Sequence, residues 1–209
     1  MSKSKYFITG IGTEVGKTIV SAILTEALSA DYWKPIQAGD LTNSDTDKVR
    51  DLVTNKKTVF HKNSYALKTP MSPHAAAEID GITIDLKKIN TPSTKNNLII
   101  EGAGGILVPI NKKNTIFDLI KNEYKVIVVS RHYLGSINHT LSTISLLKAK
   151  GFDVSIIFNG NQHKTTEEII KHMTKVPILG RINQEPYFDR NVVLEYAEKF
   201  KSRLSDIKL

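Results

Sequence analysis

The chain has 209 residues, a length that suits one α/β domain, because domains typically run to about 100–200 residues. Hydrophobic residues make up 40% and charged residues 24% of the sequence, which is the composition of an ordinary globular protein rather than a disordered one. The absence of cysteine excludes a disulfide framework and a zinc site with thiolate ligands, and it is compatible with a reducing cytoplasm.

The net charge of +8 does not by itself indicate a nucleic-acid partner. The lysines are scattered in pairs such as Lys56-Lys57 and Lys112-Lys113, without a block of five or six, so we interpret them as solvated surface. No apolar stretch approaches the roughly 20 residues that span a bilayer, and no apolar segment of about 7–15 residues typical of a signal peptide follows the first lysines. We therefore expect a cytoplasmic protein with neither a nucleic-acid nor a membrane partner.

Short apolar runs alternate with longer amphipathic runs, which predicts βαβ units around a parallel sheet. The predicted strands are residues 5–9, 32–36, 97–101, 125–130, 153–159 and 178–182. The predicted helices are residues 16–29, 45–53, 137–150, 165–175 and 190–205. We find no internal repeat, low-complexity tract or linker, so we expect a single α/β domain over residues 1–209, with the parallel sheet flanked by helices.

A glycine-rich segment follows the first predicted strand and opens the first predicted helix. Its residues are Gly10, Ile11, Gly12, Thr13, Glu14, Val15, Gly16, Lys17 and Thr18. In a phosphate-binding loop, backbone N–H groups and the helix N-terminus bind phosphates, the lysine contacts the β- and γ-phosphates, and the hydroxyl contacts Mg²⁺. The spacing is a variant, because the usual first glycine would stand at position 11. The segment predicts a binding site for a nucleoside triphosphate.

Two carboxylates are candidates for the metal site that accompanies such a loop, because Mg²⁺ prefers hard oxygen ligands. Glu101 ends a predicted strand, and ligands of open parallel sheets collect beyond the carboxyl ends of strands. Asp45 stands at a predicted helix start, where an N-cap role is the alternative and is compatible with metal binding. We predict Thr18, Asp45 and Glu101 as the metal-site residues.

Two further features lie near the same carboxyl ends of the predicted strands. Lys34 closes the second predicted strand and would point towards Lys17, although a surface lysine is the alternative. The run Gly102-Ala103-Gly104-Gly105 follows Glu101 and lets the backbone approach a ligand closely, with a tight glycine turn as the alternative.

Taken together, these motifs resemble the dethiobiotin synthetase family. The matching segments are Tyr6-Phe7-Ile8-Thr9-Gly10 with Gly12-Thr13-Glu14-Val15-Gly16-Lys17-Thr18, Lys34-Pro35-Ile36-Gln37-Ala38-Gly39, Asn43-Ser44-Asp45, Ser72-Pro73-His74, Glu101-Gly102-Ala103-Gly104-Gly105 and Leu134-Gly135-Ser136-Ile137-Asn138-His139. They span most of the chain in the family's order, and the variant loop spacing is the family's own. The resemblance implies a P-loop NTPase-type fold with seven parallel strands, and a homodimer with active sites near its interface.

The reaction that the resemblance implies is an ATP- and Mg²⁺-dependent cyclo-ligation of 7,8-diaminononanoate with CO₂. An amine captures CO₂ as a carbamate, which attacks the γ-phosphate to give a carbamic–phosphoric anhydride. The second amine then closes the ring of dethiobiotin, and ADP and phosphate are released. Because the carbamate and the γ-phosphate are both anionic, cations must neutralise them. The resemblance assigns this catalytic role to Lys17 and Lys34, and it places the Thr13 hydroxyl at the reacting centre.

The resemblance also implies the binding residues. Asn159 resembles the family's adenine-reading asparagine, with a turn asparagine as the alternative. Ser136 and Asn138 open a predicted helix whose free N–H groups suit the substrate carboxylate, with an ordinary N-cap as the alternative for Ser136. The nucleotide set is Gly12, Thr13, Glu14, Val15, Gly16, Lys17, Thr18 and Asn159. The phosphate and substrate set is Glu101, Gly102, Ala103, Gly104, Gly105, Ser136 and Asn138.

Three places depart from the family pattern. Ala38 stands where some members carry a hydroxyl residue near the carbamate. His132 and Tyr133 occupy a loop in which smaller residues are frequent, and Asn183 stands where a proline is common. The first departure removes a side-chain contact, and the other two affect the surroundings of the substrate tail and of the base.

Two other P-loop classes are alternatives to the ligase. One is a related amide-forming ligase, and the other is a partitioning or switch ATPase whose output is binding to a partner, a membrane or DNA. Switch ATPases commonly carry a lysine at the place of Gly12, and two glycines at the places of Thr13 and Glu14. The loop therefore favours the ligase, while ATP, CTP and GTP all remain open as the nucleotide.

Overall fold

The computed structural model describes residues 3–206. In this part of the chain the strands are β1 Lys5–Gly10, β2 Asp31–Trp33, β3 Ile36–Ala38, β4 Phe60–His61, β5 Tyr65–Leu67, β6 Leu98–Gly105, β7 Tyr124–Arg131, β8 Asp153–Asn159 and β9 Ile178–Ile182. The α-helices are α1 Lys17–Leu28, α2 Asp45–Leu52, α3 Pro73–Ile79, α4 Ser136–Ala149, α5 Lys164–Thr174 and α6 Arg190–Asp206. Within residues 3–206, none of the helices has the length and apolar character that a membrane crossing requires.

One seven-stranded sheet organises the chain, in the order β4-β2-β6-β1-β7-β8-β9. Every neighbouring pair in it is parallel, so the carboxyl ends of these strands meet at one edge. β1 lies at the centre between β6 and β7, which come from the later part of the chain. The predicted parallel sheet with flanking helices is confirmed, and so is the strand number that the resemblance implies.

The central strands are buried on both faces, which explains their uninterrupted apolar sequences. Phe7 and Ile8 in β1 are fully buried, as are the apolar residues of β6 before Glu101. The helix α1 contacts α2 and α6, while α4 contacts α5, so helices cover the sheet in two groups. This cover leaves the carboxyl edge of the sheet as the place where polar side chains collect.

The prediction of one strand over residues 32–36 is wrong. β2 ends at Trp33, and β3 begins at Ile36 in a separate two-stranded sheet with β5. Pro35 causes the interruption, because it has no N–H to donate to a neighbouring strand. Its carbonyl accepts hydrogen bonds from the N–H groups of Ser64 and Tyr65 instead. The break places Lys34 just beyond β2, at the carboxyl edge of the main sheet.

Helix α2 starts at Asp45, but its N-cap is Ser44. The Ser44 hydroxyl accepts from the Asp47 N–H at 3.2 Å, and the Asp47 carboxylate accepts from the Ser44 N–H at 3.1 Å. This reciprocal pair is a capping box. The N-cap alternative for Asp45 is therefore wrong, and its carboxylate lies in the first helical turn, where negative charge is favourable.

We predict that Ser44→Ala lowers the free energy of unfolding by about 1 kcal/mol, because it removes an N-cap. Urea denaturation measures the loss. Ser145→Ala, at an exposed position inside α4, is the matched control and should leave stability unchanged or slightly raised, because alanine is the better helix former there. Equal losses in the two variants would contradict the capping role of Ser44.

Candidate active site

The phosphate loop connects the carboxyl end of β1 to the start of α1. Glu14 and Gly16 adopt left-handed backbone conformations, with φ of 56° and 95°, and Gly16 is the N-cap of α1. A Cβ atom at Gly10 would lie 2.5 Å from Val15 Cγ2 and 2.8 Å from the Gly12 carbonyl oxygen. The close fold of the loop over Gly10 explains why the variant spacing keeps a glycine at that position.

Glu101 is the buried anchor of the site, with 1% of its surface exposed. Its Oε1 accepts hydrogen bonds from Thr18 Oγ1 and Lys34 Nζ, both at 3.0 Å. Its Oε2 accepts from the Tyr32 hydroxyl at 2.9 Å. The prediction that this strand ends at Glu101 is wrong. β6 continues to Gly105, so the carboxylate projects from within the strand.

Lys34 joins the two predicted metal-site carboxylates. Its Nζ lies 2.6 Å from Asp45 Oδ2 and 3.0 Å from Glu101 Oε1, and it is buried, so the surface-lysine alternative is wrong. Burial lowers the pKa of Lys34, but Glu101 and Asp45 together outweigh it and hold that pKa above its ordinary value. Burial raises the pKa of Asp45, but Lys34, with smaller contributions from Lys48 and Thr18, outweighs it and holds that pKa below its ordinary value. The structure thus brings Asp45 and Glu101 together around one ammonium group, and Thr18 joins them through its bond to Glu101.

Lys17 is buried in the loop, and its Nζ donates to the Gly12 carbonyl oxygen at 3.1 Å. Burial is the main cause that lowers the pKa of Lys17 to about 8, with Lys34 adding to the shift. Glu101 and Asp45 oppose the shift. The two lysines therefore have different partners. Lys34 is neutralised by carboxylates, whereas Lys17 is bonded to a backbone carbonyl oxygen.

A polar cavity of 700 Å³ lies over these groups. It is lined by Thr13, Glu14, Gly16, Lys17, Thr18, Lys34, Ala38, Asp45, Glu101, Ala103, Gly104 and neighbouring residues. A second cavity of 420 Å³, which we call the apolar slot, is lined by Ile11, Gly12, Thr13, Gly105, Ile106, Leu107, Val108, Pro109, His139, Ser142, Thr143 and Leu146. Thr13 and Val108 line both, so the apolar slot adjoins the polar cavity at the phosphate loop.

The glycine run after Glu101 belongs to β6, and the tight-turn alternative is wrong. A Cβ atom at Gly102 would lie 3.2 Å from the Phe7 ring, and one at Gly104 would lie 2.8 Å from Val108 Cγ2. Gly104 also has a φ of 69°. A Cβ atom at Gly105 would lie 3.5 Å from the Gly10 carbonyl oxygen, so the run lets β6 lie against the phosphate loop.

Asn159 ends β8 and contacts the other side of the phosphate loop. Its Nδ2 donates to the Val15 carbonyl oxygen at 2.8 Å. A Cβ atom at Gly16 would lie 2.2 Å from the same Nδ2, so the glycine makes room for the amide. The side chain therefore packs on the loop rather than closing a local turn.

Ser136 and Asn138 belong to the first turn of α4 and line neither cavity. Gly135, with a φ of 101°, is the N-cap of this helix, so the N-cap alternative for Ser136 is wrong. Ser136 is buried and Asn138 is exposed. The chain alone does not bring these two predicted residues to the lysines.

Several residues that border the site have no role predicted from the sequence. Tyr32 holds Glu101, and Gln37 Oε1 accepts from the Asp45 N–H at 3.3 Å. His139 lines the apolar slot, and its Nδ1 is 2.8 Å from the Tyr133 hydroxyl. Tyr32 and Gln37 flank Lys34 in the sequence, and that proximity is the one local sign of their roles.

We predict that Lys17→Met and Lys34→Met change stability at pH 7 in opposite directions. Lys17→Met removes a buried charge that favours the unfolded chain, so unfolding should cost about 2 kcal/mol more. Because the folded pKa of about 8 lies below the ordinary 10.5, this gain should shrink as pH rises through that interval. Lys34→Met leaves the buried Glu101 carboxylate and the half-buried Asp45 carboxylate without their cation, so unfolding should cost about 3–5 kcal/mol less.

Urea denaturation of both variants beside the parent chain, between pH 7 and pH 10.5, measures these differences. Losses of equal size in the two variants would contradict the distinction between the two lysines.

Solved structures share the architecture. The MinC:MinD cell division complex of Aquifex aeolicus contains a chain that superposes with a TM-score of 0.65 at 18% identity, covering 99% of this chain and 97% of that one. A plasmid partition protein of Borrelia burgdorferi bound to AMPPNP superposes with a TM-score of 0.63 at 12% identity, covering 99% of both chains. At such identities the likeness establishes the P-loop fold alone.

Sequence relatives are much closer. The chain is 65% identical to an ATP-dependent dethiobiotin synthetase of Christiangramia forsetii over 208 residues, which cover 99% of this chain and 100% of the relative. It is 48% identical to the enzyme of the same name from Cytophaga hutchinsonii over 198 residues, covering 93% and 96%. A family model described as an AAA domain matches residues 4–192. The chain therefore belongs to the ATP-dependent dethiobiotin synthetase family, whose members are ATP-using ligases of biotin biosynthesis.

Proposed function

We propose that the chain joins CO₂ to 7,8-diaminononanoate and closes the ureido ring, giving dethiobiotin, ADP and phosphate. The observation that carries the proposal is the pair of adjoining cavities at the phosphate loop. The polar cavity contains Lys17 and Lys34, the cations that two anionic reactants need. The apolar slot continues from it past Thr13 and suits an alkyl chain.

The donor set fits Mg²⁺, which is a hard cation with oxygen ligands. Thr18 Oγ1 and the carboxylates of Asp45 and Glu101 would hold it, together with phosphate oxygens of the nucleotide. When bound, Mg²⁺ supplies positive charge to the β- and γ-phosphates. Because Lys34 already pairs with both carboxylates, the lysine would release them and turn its ammonium into the polar cavity.

The chain's own residues then act by position and charge. Lys17 contacts the β- and γ-phosphates, while Lys34 lies between the carbamate and the γ-phosphate. Thr13 lines both cavities, which supports a role for its hydroxyl at the reacting centre. Ala38 lines the polar cavity without a hydroxyl, so the carbamate takes no hydrogen bond from that side chain.

The substrate's alkyl chain lies in the apolar slot, against Ile106, Leu107 and Leu146. Its carboxylate needs an anion site, for which the first turn of α4 is the candidate. Since Ser136 and Asn138 do not line the slot of their own chain, we propose that a second copy in a homodimer brings this turn to the tail. Leu107 and Leu134 are exposed apolar side chains that a dimer would cover.

We expect nucleotide hydrolysis to be slow in the presence of ATP and Mg²⁺ alone, because the carbamate that accepts the phosphoryl group is missing. Diaminononanoate and bicarbonate added together should raise ADP release and yield dethiobiotin, identified by mass spectrometry. DNA and lipid vesicles should have no effect. Stimulation by DNA or vesicles without dethiobiotin would contradict the ligase proposal and favour a switch ATPase.

We predict that Glu101→Gln and Asp45→Asn each raise the Mg²⁺ concentration needed for half-maximal activity, because the amide lacks the charge that a hard cation binds. Asp40→Asn is the matched control, since Asp40 lines the same cavity and is exposed. Its Mg²⁺ curve should equal that of the parent chain. Mn²⁺ binding measured by electron paramagnetic resonance gives a second readout that does not depend on turnover. An unchanged Mg²⁺ curve for Glu101→Gln would remove this residue from the metal site.

A further inference from the structure

The order of the strands in the sheet determines on which side of the phosphate loop the nucleotide base would lie. β6, which carries Glu101, lies on one side of β1, and β8, which carries Asn159, lies beyond β7 on the other side. The reacting γ-phosphate belongs with the lysines and Glu101. The opposite end of the nucleotide therefore extends past Gly16 towards Asn159 and the carboxyl end of β9.

The loop after β9, residues 183–185, borders Asn159. Asn159 pairs in register with Ile182, and the Gly160 N–H donates to the Ile182 carbonyl oxygen at 2.8 Å. The Gln184 N–H donates to Asn161 Oδ1 at 3.3 Å. The loops that follow β8 and β9 thus form one continuous wall beside the phosphate loop.

A single hydroxyl makes two hydrogen bonds to the loop of residues 183–185. Tyr196, a buried residue of α6, accepts the Asn183 N–H at 3.0 Å and donates to Glu185 Oε1 at 2.5 Å. The first bond needs a backbone N–H at position 183, which any residue other than proline supplies. A proline there, which is common in the family, has no N–H to give.

We propose that Tyr196 is a positioning residue for the nucleotide base. Its hydroxyl fixes loop 183–185 against the loop that follows Asn159, so that the base meets a preformed wall instead of ordering it on binding. The proposal rests on the proposed nucleotide site but not on the ligase reaction. Tyr196 itself does not touch the phosphates, and its ring stays in the core between α6 and the sheet.

The test compares ligands with and without a base. Tyr196→Phe keeps the buried ring and removes only the hydroxyl. Calorimetry should show ADP binding weakened by about 5- to 10-fold, the size of about one lost hydrogen bond. Binding of inorganic triphosphate should stay within 2-fold of the parent chain, because it reaches the phosphate loop without touching the wall. In turnover, KM for ATP should rise while kcat and KM for diaminononanoate stay unchanged.

Two further variants separate positioning from general destabilisation. Tyr124→Phe removes another buried hydroxyl, which bonds Thr91 at the opposite end of the sheet, and should leave ADP binding unchanged. Glu185→Ala removes one of the two bonds of Tyr196 without altering the core, and should weaken ADP binding by about 2- to 3-fold.

Unchanged ADP binding in Tyr196→Phe would overturn the proposal. So would an equal loss of ADP and triphosphate binding, or an equal ADP loss in Tyr124→Phe. If the parent chain binds ADP and triphosphate as expected but makes no dethiobiotin, the ligase proposal fails while the role of Tyr196 stands.

Discussion

The ion pair between Lys34 and Glu101 is the constraint on which the site depends. Both groups are almost fully buried, and a buried charge is tolerated only when a partner lies within hydrogen-bonding distance. Glu101 is fixed in β6, and Lys34 follows the end of β2, the strand beside it. Pairing these strands in the wrong register would separate the charges, so the polar centre of the site also selects the arrangement of the sheet.

The remaining site residues follow from that arrangement. Asp45 reaches Lys34 because the capping box at Ser44 starts α2 at the edge of the polar cavity. Thr18 reaches Glu101 because β1 and β6 are neighbours and α1 starts directly after the phosphate loop. Helix capping and strand pairing therefore bring side chains that are far apart in the sequence into the same site.

The sequence predicts the long elements well because their apolar residues are periodic or continuous. The strands predicted at residues 153–159 and 178–182 coincide with β8 and β9, and the helix predicted at residues 165–175 starts one residue after α5 begins. β4 and β5 have two and three residues, too few to show a period. The break at Pro35 had a visible cause, since proline cannot donate within a sheet.

Some site residues could likewise be predicted from the sequence, and others could not. Motifs identify Lys17, Thr18 and Glu101, because loop and strand place them by spacing alone. The bond from Tyr32 to Glu101 and the bonds of Tyr196 join residues with no local pattern, so they become visible only when the strands and helices are packed.

The shared border at Thr13 has a consequence for inhibitor chemistry. A phosphate mimic alone occupies the kind of loop that many unrelated ATPases possess. A molecule that carries such an anionic head and an unbranched hydrocarbon tail would cross the border and fill the apolar slot between Ile106 and Leu146. Its tail would meet apolar side chains that lie outside the phosphate loop, so the hydrocarbon would add contacts that the charge alone cannot make.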